Sequence, residues 1–277
     1  SAVVAYIIRF LLEERKRGRV QKAFGYYLAP SIVNQLVESS EELKLGGEKR
    51  EITIMFADLS GFTALSSQLE PEELVSLTNK YLTLIAREVE AAGGYVDKFI
   101  GDSVMAVWGA PVTVEFHAEQ AVSAAVRIST QIAEENKIAE QKGEIGFDVK
   151  IGVNSGEAIV GNVGSETRFN YTVIGEAVNI ASRLESLPGA YDCNVIISGA
   201  TAAQLNNRVK LREIDSVTVK GIAETLPIFE PLDRISPDMA SSYARALAKY
   251  RSRDFAAAIS IWQELEDGPS QVMAKRA

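Results

Sequence analysis

The chain has 277 residues, enough for one large domain or one domain with appendages. Its net charge of −8 argues against non-specific binding to nucleic acid. One cysteine, Cys193, excludes an intrachain disulfide, and one histidine, His117, excludes a zinc cluster, a pattern that fits a reducing cytoplasm.

Residues 1–45 read as helical. Ala2 to Leu12 are apolar apart from Arg9, and Glu13-Glu14-Arg15-Lys16-Arg17-Gly18-Arg19 follows. A bilayer needs about 20 apolar residues, so this run cannot span alone. It suits the end of a transmembrane helix with its basic cluster on the cytoplasmic side, and equally an amphipathic or coiled-coil lead-in. The opening Ser1 reads as the start of a fragment or a processed product. Pro30 fits the first turn of a further helix, 31–38, before Gly46-Gly47 punctuates.

A strand is expected at 52–57. Pro71-Glu72-Glu73 then opens a helix whose Leu74, Leu77, Tyr81, Leu84, Ile85 and Val89 recur at helical spacing, ending at Gly93-Gly94. Strands at 95–99 and 104–108 form a hairpin across Gly101-Asp102. A long helix, 117–141, carries Ala121, Ala125, Ile128 and Ile132 on one face, with His117 at its start and no catalytic role. Strands follow near 147–154, 157–162 and 169–174, then a helix at 176–187. The order closes with strand 194–198, helix 199–206 and strands near 209–219 and 225–230. Cys193, just before an apolar run, reads as packing. Paired strands interleaved with helices imply an α+β sandwich, a sheet covered on one face. No G-x-G-x-x-G follows a strand and no G-x-x-x-x-G-K-[ST] occurs, so nucleotide binding would need another device. Residues 237–277 stand apart as two short helices hinged at 252–254. They resemble one hairpin of a tetratricopeptide-type repeat and read as a packing appendage.

Two carboxylates carry the chemistry. Asp58 ends the apolar run Ile52 to Ala57, and Asp102 sits in a tight turn between two apolar stretches. A carboxylate at a strand end takes a metal, while free N–H groups of the adjoining loop, Leu59-Ser60-Gly61-Phe62-Thr63, take phosphate oxygens. Two such carboxylates on neighbouring strands suit the ion pair used in displacement at phosphorus. Asn179 and Arg183 are four apart and share a helix face, where an amide and a guanidinium suit a hydroxyl or ether oxygen and a phosphate. Lys220 lies at a strand end beside Gly221. Lys98 and Thr172 are strand residues able to read the polar edge of a base.

Taken in order, Phe56-Ala57-Asp58-Leu59-Ser60-Gly61-Phe62-Thr63, Lys98-Phe99-Ile100-Gly101-Asp102, Tyr171 to Arg183, and Val219-Lys220-Gly221 resemble the class III nucleotidyl cyclase catalytic domain over residues 48–232. Phe24 to Pro30 resembles the segment leading into that domain in bacterial membrane cyclases, and the tail resembles the helical extension after some of them. The resemblance implies a ferredoxin-like α+β core and a division into lead-in (1–45), catalytic domain (46–232) and helical extension (237–277). It implies Asp58 and Asp102 as ligands of two Mg2+ or Mn2+ ions, and residues 59–63 as the phosphate loop. Lys98 and Thr172 would select the purine, and Asn179 and Arg183 would orient the ribose and stabilise the transition state. Lys220 would bind the terminal phosphates, with Arg168 as a further contact.

The implied partner is a second copy of the chain in a head-to-tail homodimer, each site taking its aspartates from one chain and its other residues from the other. The implied substrate is ATP, because Lys98 with Thr172 is the pattern of a bacterial subclass similar to bicarbonate-responsive adenylyl cyclases, whereas guanylyl cyclases carry glutamate and cysteine there. The implied location is the cytoplasmic side of a bacterial inner membrane. A guanylyl cyclase and a silent nucleotide-binding or dimerisation module remain as alternatives. A diguanylate cyclase lacks its Gly-Gly-(Asp/Glu)-Glu-Phe signature here.

Overall fold

The computed structural model describes residues 45–206, 208–218, 225–232 and 236–277. The expected lead-in and possible membrane segment lie outside them, as does Lys220. Among the described residues no helix is long and apolar enough to cross a membrane.

The first strand, β1 (Gly46–Ser60), sets the two faces of the molecule. Along it Met55, Ala57 and Leu59 enter one apolar cluster, while Ile52, Ile54 and Phe56 enter another. That is the period-two alternation of a strand buried on both sides. After the short α1 (Phe62–Leu65) comes α2 (Pro71–Ala91), with Pro71 in its first turn and Glu72 and Glu73 at the positive end of its dipole. Tyr81, Ile85 and Val89, four apart, are its buried stripe. The hairpin β2 (Tyr95–Ile100) and β3 (Ser103–Trp108) follows, then α3 (His117–Gln141). Next are β4 (Asp148–Ser165), β5 (Arg168–Ile174) and α4 (Glu176–Glu185). The remainder is α5 (Pro188–Tyr191), β6 (Val195–Ser198), α6 (Gly199–Gln204), β7 (Leu211–Val217) and β8 (Leu226–Pro231). Three helices close the chain: α7 (Pro237–Arg251), α8 (Phe255–Gln263) and α9 (Gly268–Arg276).

Among the described residues the strands form one eight-stranded sheet, β2-β3-β1-β4-β6-β8-β7, with β5 also paired to β4. The β4–β6 pairing is parallel and the other pairings are antiparallel. The order β2-β3-β1-β4 with α2 and α3 as connections is the ferredoxin-like arrangement. Helices α2 and α3 cover the Met55 face, and α4 covers the Ile54 face.

Four expectations are corrected. Helices lie on both faces of the sheet, not one. The strands expected at 147–154 and 157–162 are one continuous β4, because β1 pairs with it from Gly46 opposite Asn162 to Ser60 opposite Asp148 and leaves no room for a turn at Ser155-Gly156. The helix expected to 187 ends at Glu185. The tail has three helices instead of two: α9 opens with Pro269 in its first turn and Asp267 Oδ1 accepting from the Ser270 N–H at 3.3 Å. A Gly-Pro-Ser run reads as a loop until its cap is seen.

The tail helices pack on the sheet. Tyr243, Leu247, Trp262 and Met273 share a buried cluster with Leu184, Tyr191, Ile196, Ile214 and Ile228. Buried Arg212 ties β7 to Glu230 on β8 and, at 2.7 Å, to Asp267 before α9. Cys193 lies at the margin of this cluster, where burial pushes its thiol up.

Candidate active site

The end of β1 places Asp58 opposite Ser103 of β3 and Lys150 of β4. The Ser103 hydroxyl donates to Asp58 Oδ1. Asp102 stands next to Ser103, in the turn between β2 and β3. That turn needs Gly101 at φ +65°, a left-handed conformation that a β-carbon makes costly. Burial, and then the charge of Asp58, raises the Asp102 carboxyl above its ordinary value. A third carboxyl approaches from α4: burial, with the charges of Asp58 and Asp102 added and Lys150 opposing, pushes Glu185 up to about 7. Negative charge is thus concentrated at one end of β1.

Among the described residues no three His, Cys, Asp or Glu side chains enclose a cation. The donors are two carboxylates whose mutual repulsion a cation would relieve, the sparse set that suits Mg2+ completed by water and phosphate oxygens. The residues fit such an ion.

Directly after Asp58, Leu59 is buried and Ser60 pairs with Asp148. Gly61 is the cap residue before α1, and the ring of Phe62 stacks on Phe147 at 6.1 Å. The first N–H groups of a helix have no acceptor within it, so those of Phe62 and Thr63 have no partner inside α1.

A second group lies on β2 and β5. The β2–β3 register slips between Val96 and Lys98, a bulge at Asp97. Consecutive strand residues normally face opposite sides, and the bulge turns Asp97 and Lys98 to the same neighbour. Lys98 Nζ donates to Thr172 Oγ1 at 3.0 Å and lies 3.0 Å from Asp97 Oδ2. Thr172 Oγ1 in turn donates to Asp97 Oδ2 at 2.9 Å. Lys98 and Thr172 thus meet, with Asp97, which no motif singles out, in contact with both.

Helix α4 carries Asn179 and Arg183. Its Ala177, Ala181 and Leu184 are buried, while Asn179 is exposed and Arg183 half-buried. Neither side chain has a hydrogen-bond or ionic partner among the described residues. The helix lies close against β4: a β-carbon on Gly152 would come within 2.2 Å of the Glu185 nitrogen and 2.7 Å of the Ala181 carbonyl oxygen. Buried Asn154 Nδ2 donates to the Ala177 carbonyl at 2.9 Å, fixing the start of the helix. A lone glycine and asparagine in a strand give little sequence signal for this.

Arg168 is exposed, at the β4–β5 hairpin. It pairs with Ser165, whereas Asp58 pairs with Lys150 near the other end of β4, so one chain does not bring Arg168 to the aspartates. Half-buried His117 lies outside both groups, 2.7 Å from Thr53 Oγ1, and its burial lowers its basicity.

The adenylate and guanylate cyclase catalytic domain matches residues 47–229. The chain belongs to this family. Among cyclase relatives, adenylate cyclase 1 of Rhizobium meliloti is 35% identical over 207 residues, covering 75% of this chain and 31% of that protein. An adenylate cyclase of Anabaena cylindrica is 35% identical over 198 residues, covering 69% and 38%. The chain therefore spans about a third of the length of these relatives. The crystal structure of the adenylyl cyclase CyaB from P. aeruginosa aligns with a TM-score of 0.64 at 33% identity, covering 69% of this chain and 98% of that one. The guanylyl cyclase Cya2 aligns with a TM-score of 0.61 at 34% identity, covering 70% and 97%. The ferredoxin-like α+β cyclase fold is shared with both.

Proposed function

We propose that the chain is the catalytic part of an adenylyl cyclase, converting ATP to 3′,5′-cyclic AMP and pyrophosphate at composite sites of a head-to-tail homodimer. The observation that carries this reading is the contact between Lys98 and Thr172, a donor and a hydroxyl side by side on two strands. Similarity alone does not choose the base, since Cya2 is as similar as CyaB. Adenine offers a ring nitrogen that accepts from Lys98 and an amino group that donates to Thr172.

In the reaction the ribose 3′-oxygen attacks the α-phosphorus and pyrophosphate leaves. Divalent cations, Mg2+ or Mn2+, held by Asp58 and Asp102 would lower the pKa of that hydroxyl and neutralise the triphosphate. The backbone from Leu59 to Thr63 binds phosphate oxygens, and Asn179 orients the ribose. Arg183 meets the charge that grows at the α-phosphate or the bridging oxygen. Lys220 and Arg168 complete the phosphate contacts in this reading. No side chain serves as a dedicated general base.

Dimerisation is supported by three features. Within the chain, Lys98 and Thr172 form a group apart from the aspartates. Asn179 and Arg183 have no side-chain partner among the described residues. Apolar Phe99, Ile100, Ile159 and Ile174 are exposed on the strands around Lys98 and Thr172, a surface that favours a protein partner. We also assign the apolar run at residues 2–12 to a link with the bacterial inner membrane.

The test is nucleotide turnover by the whole chain with Mn-ATP and Mn-GTP in parallel. Cyclic AMP, with specific activity rising with protein concentration, is expected. Silence with both nucleotides in a sample shown to be dimeric would favour a nucleotide-binding module, and cyclic GMP as the main product would favour a guanylyl cyclase.

A further inference from the structure

We infer that Asp97 is a specificity-determining residue: it orients Thr172 and Lys98 so that the purine site accepts adenine and rejects guanine. This rests on the adenylyl cyclase reading and adds a residue to it. The Asp97 side chain is wholly buried, and it reaches its neighbours only because the bulge in β2 turns it toward them. Its Oδ2 takes the Thr172 proton and faces the Lys98 ammonium, while Oδ1 has no hydrogen-bond partner among the described residues.

These contacts decide polarity. A hydroxyl has one proton and two lone pairs. The Thr172 proton is committed to Asp97 and one lone pair receives Lys98, so only an acceptor lone pair is left for a ligand. The ammonium has three protons, and two are directed at Asp97 and Thr172, leaving one donor. With the nucleotide anchored by its ribose and phosphates, the purine presents fixed atoms to these groups. At the six position adenine has a donor, which meets the Thr172 lone pair. Guanine has an oxygen there, and two acceptors would face each other. At the ring nitrogen adenine accepts from Lys98, whereas guanine carries a proton and two donors would collide. Without Asp97 the threonine hydroxyl is free to rotate and donate to the guanine oxygen.

Asp97→Ala should therefore reduce the ratio of ATP to GTP kcat/KM by about tenfold or more, the scale of one mispaired hydrogen bond in a closed site. Asp97→Asn keeps an acceptor oxygen and should restore most of the preference. In a Thr172→Val background, Asp97→Ala should change the ratio less than it does in the wild type, since one of the two groups that Asp97 orients is then gone. The same proteins are compared by displacement of a fluorescent nucleotide with ATP and with GTP, which reads base preference without turnover. A wild-type sample shown to be dimeric that turns over neither nucleotide would end the cyclase reading, and the inference would then be judged on displacement alone. A preference equal in wild type and Asp97→Ala, even with both affinities lowered, would overturn the inference and leave Asp97 a packing residue. A wild-type preference for GTP would overturn both.

Discussion

Arg183 illustrates what a single residue contributes. Its side chain is free of partners among the described residues, so its charge is available to a phosphate. Loss of one such donor costs about 100- to 1,000-fold in kcat. Arg183→Ala should show that loss with cyclic AMP as the readout and little change in melting temperature; a loss below about tenfold would contradict the assignment. Glu185, two residues on, predicts a pH effect. Its carboxyl titrates at about 7 in the folded chain against an ordinary 4.5. The folded state therefore holds a proton that the unfolded state has released, and stability from this group is full below the ordinary value and lost as pH rises through 7. The melting temperature of the metal-free wild type should fall from about pH 5 to about pH 8 relative to Glu185→Gln. Parallel profiles for the two proteins would contradict the raised value.

At the scale of elements, the way α4 sits on β4 decides where Asn179 and Arg183 point. The atoms nearest a β-carbon at Gly152 are all backbone, so Gly152→Ala has to move the helix. It should destabilise the chain by about 1–3 kcal/mol in urea unfolding and lower kcat beyond what stability explains. An unchanged kcat would show that the close approach is unimportant. On the Ile196 side of the sheet, Trp262 is wholly buried against the strands, and Trp262→Ala should cost about 3–5 kcal/mol of unfolding free energy. A cost below about 1 kcal/mol would mean that the tail helices are held only loosely. Legibility in the sequence follows the same division. Asp58 and Asp102 are readable because each ends an apolar run, and Asn179 and Arg183 because a helix repeats every 3.6 residues. The bulge at Asp97 is a register event between two strands, and no composition signals it. The continuity of β4 is likewise set by its partner β1, and the approach at Gly152 by a helix distant in sequence.

For the whole molecule, the sheet spreads the functional side chains over several strands and α4. Asp58 and Asp102 gather at one end of β1, while the purine group depends on β2 and β5. An active site that unites them across two chains makes activity a property of the pair, and a C2 dimer would hold two equivalent sites. Leu184, next to Arg183, belongs to the cluster that the tail helices complete, so the extension and α4 share one core. The most direct test of this account mixes two inactive proteins, Asp58→Ala and Arg183→Ala, and measures cyclic AMP formation from Mn-ATP. In a mixed dimer one site carries both lesions and the other carries none, so statistical pairing predicts recovery to about a quarter of wild-type activity. No recovery, with mixed dimers shown to form, would mean that each chain works alone or not at all, and would contradict the composite site.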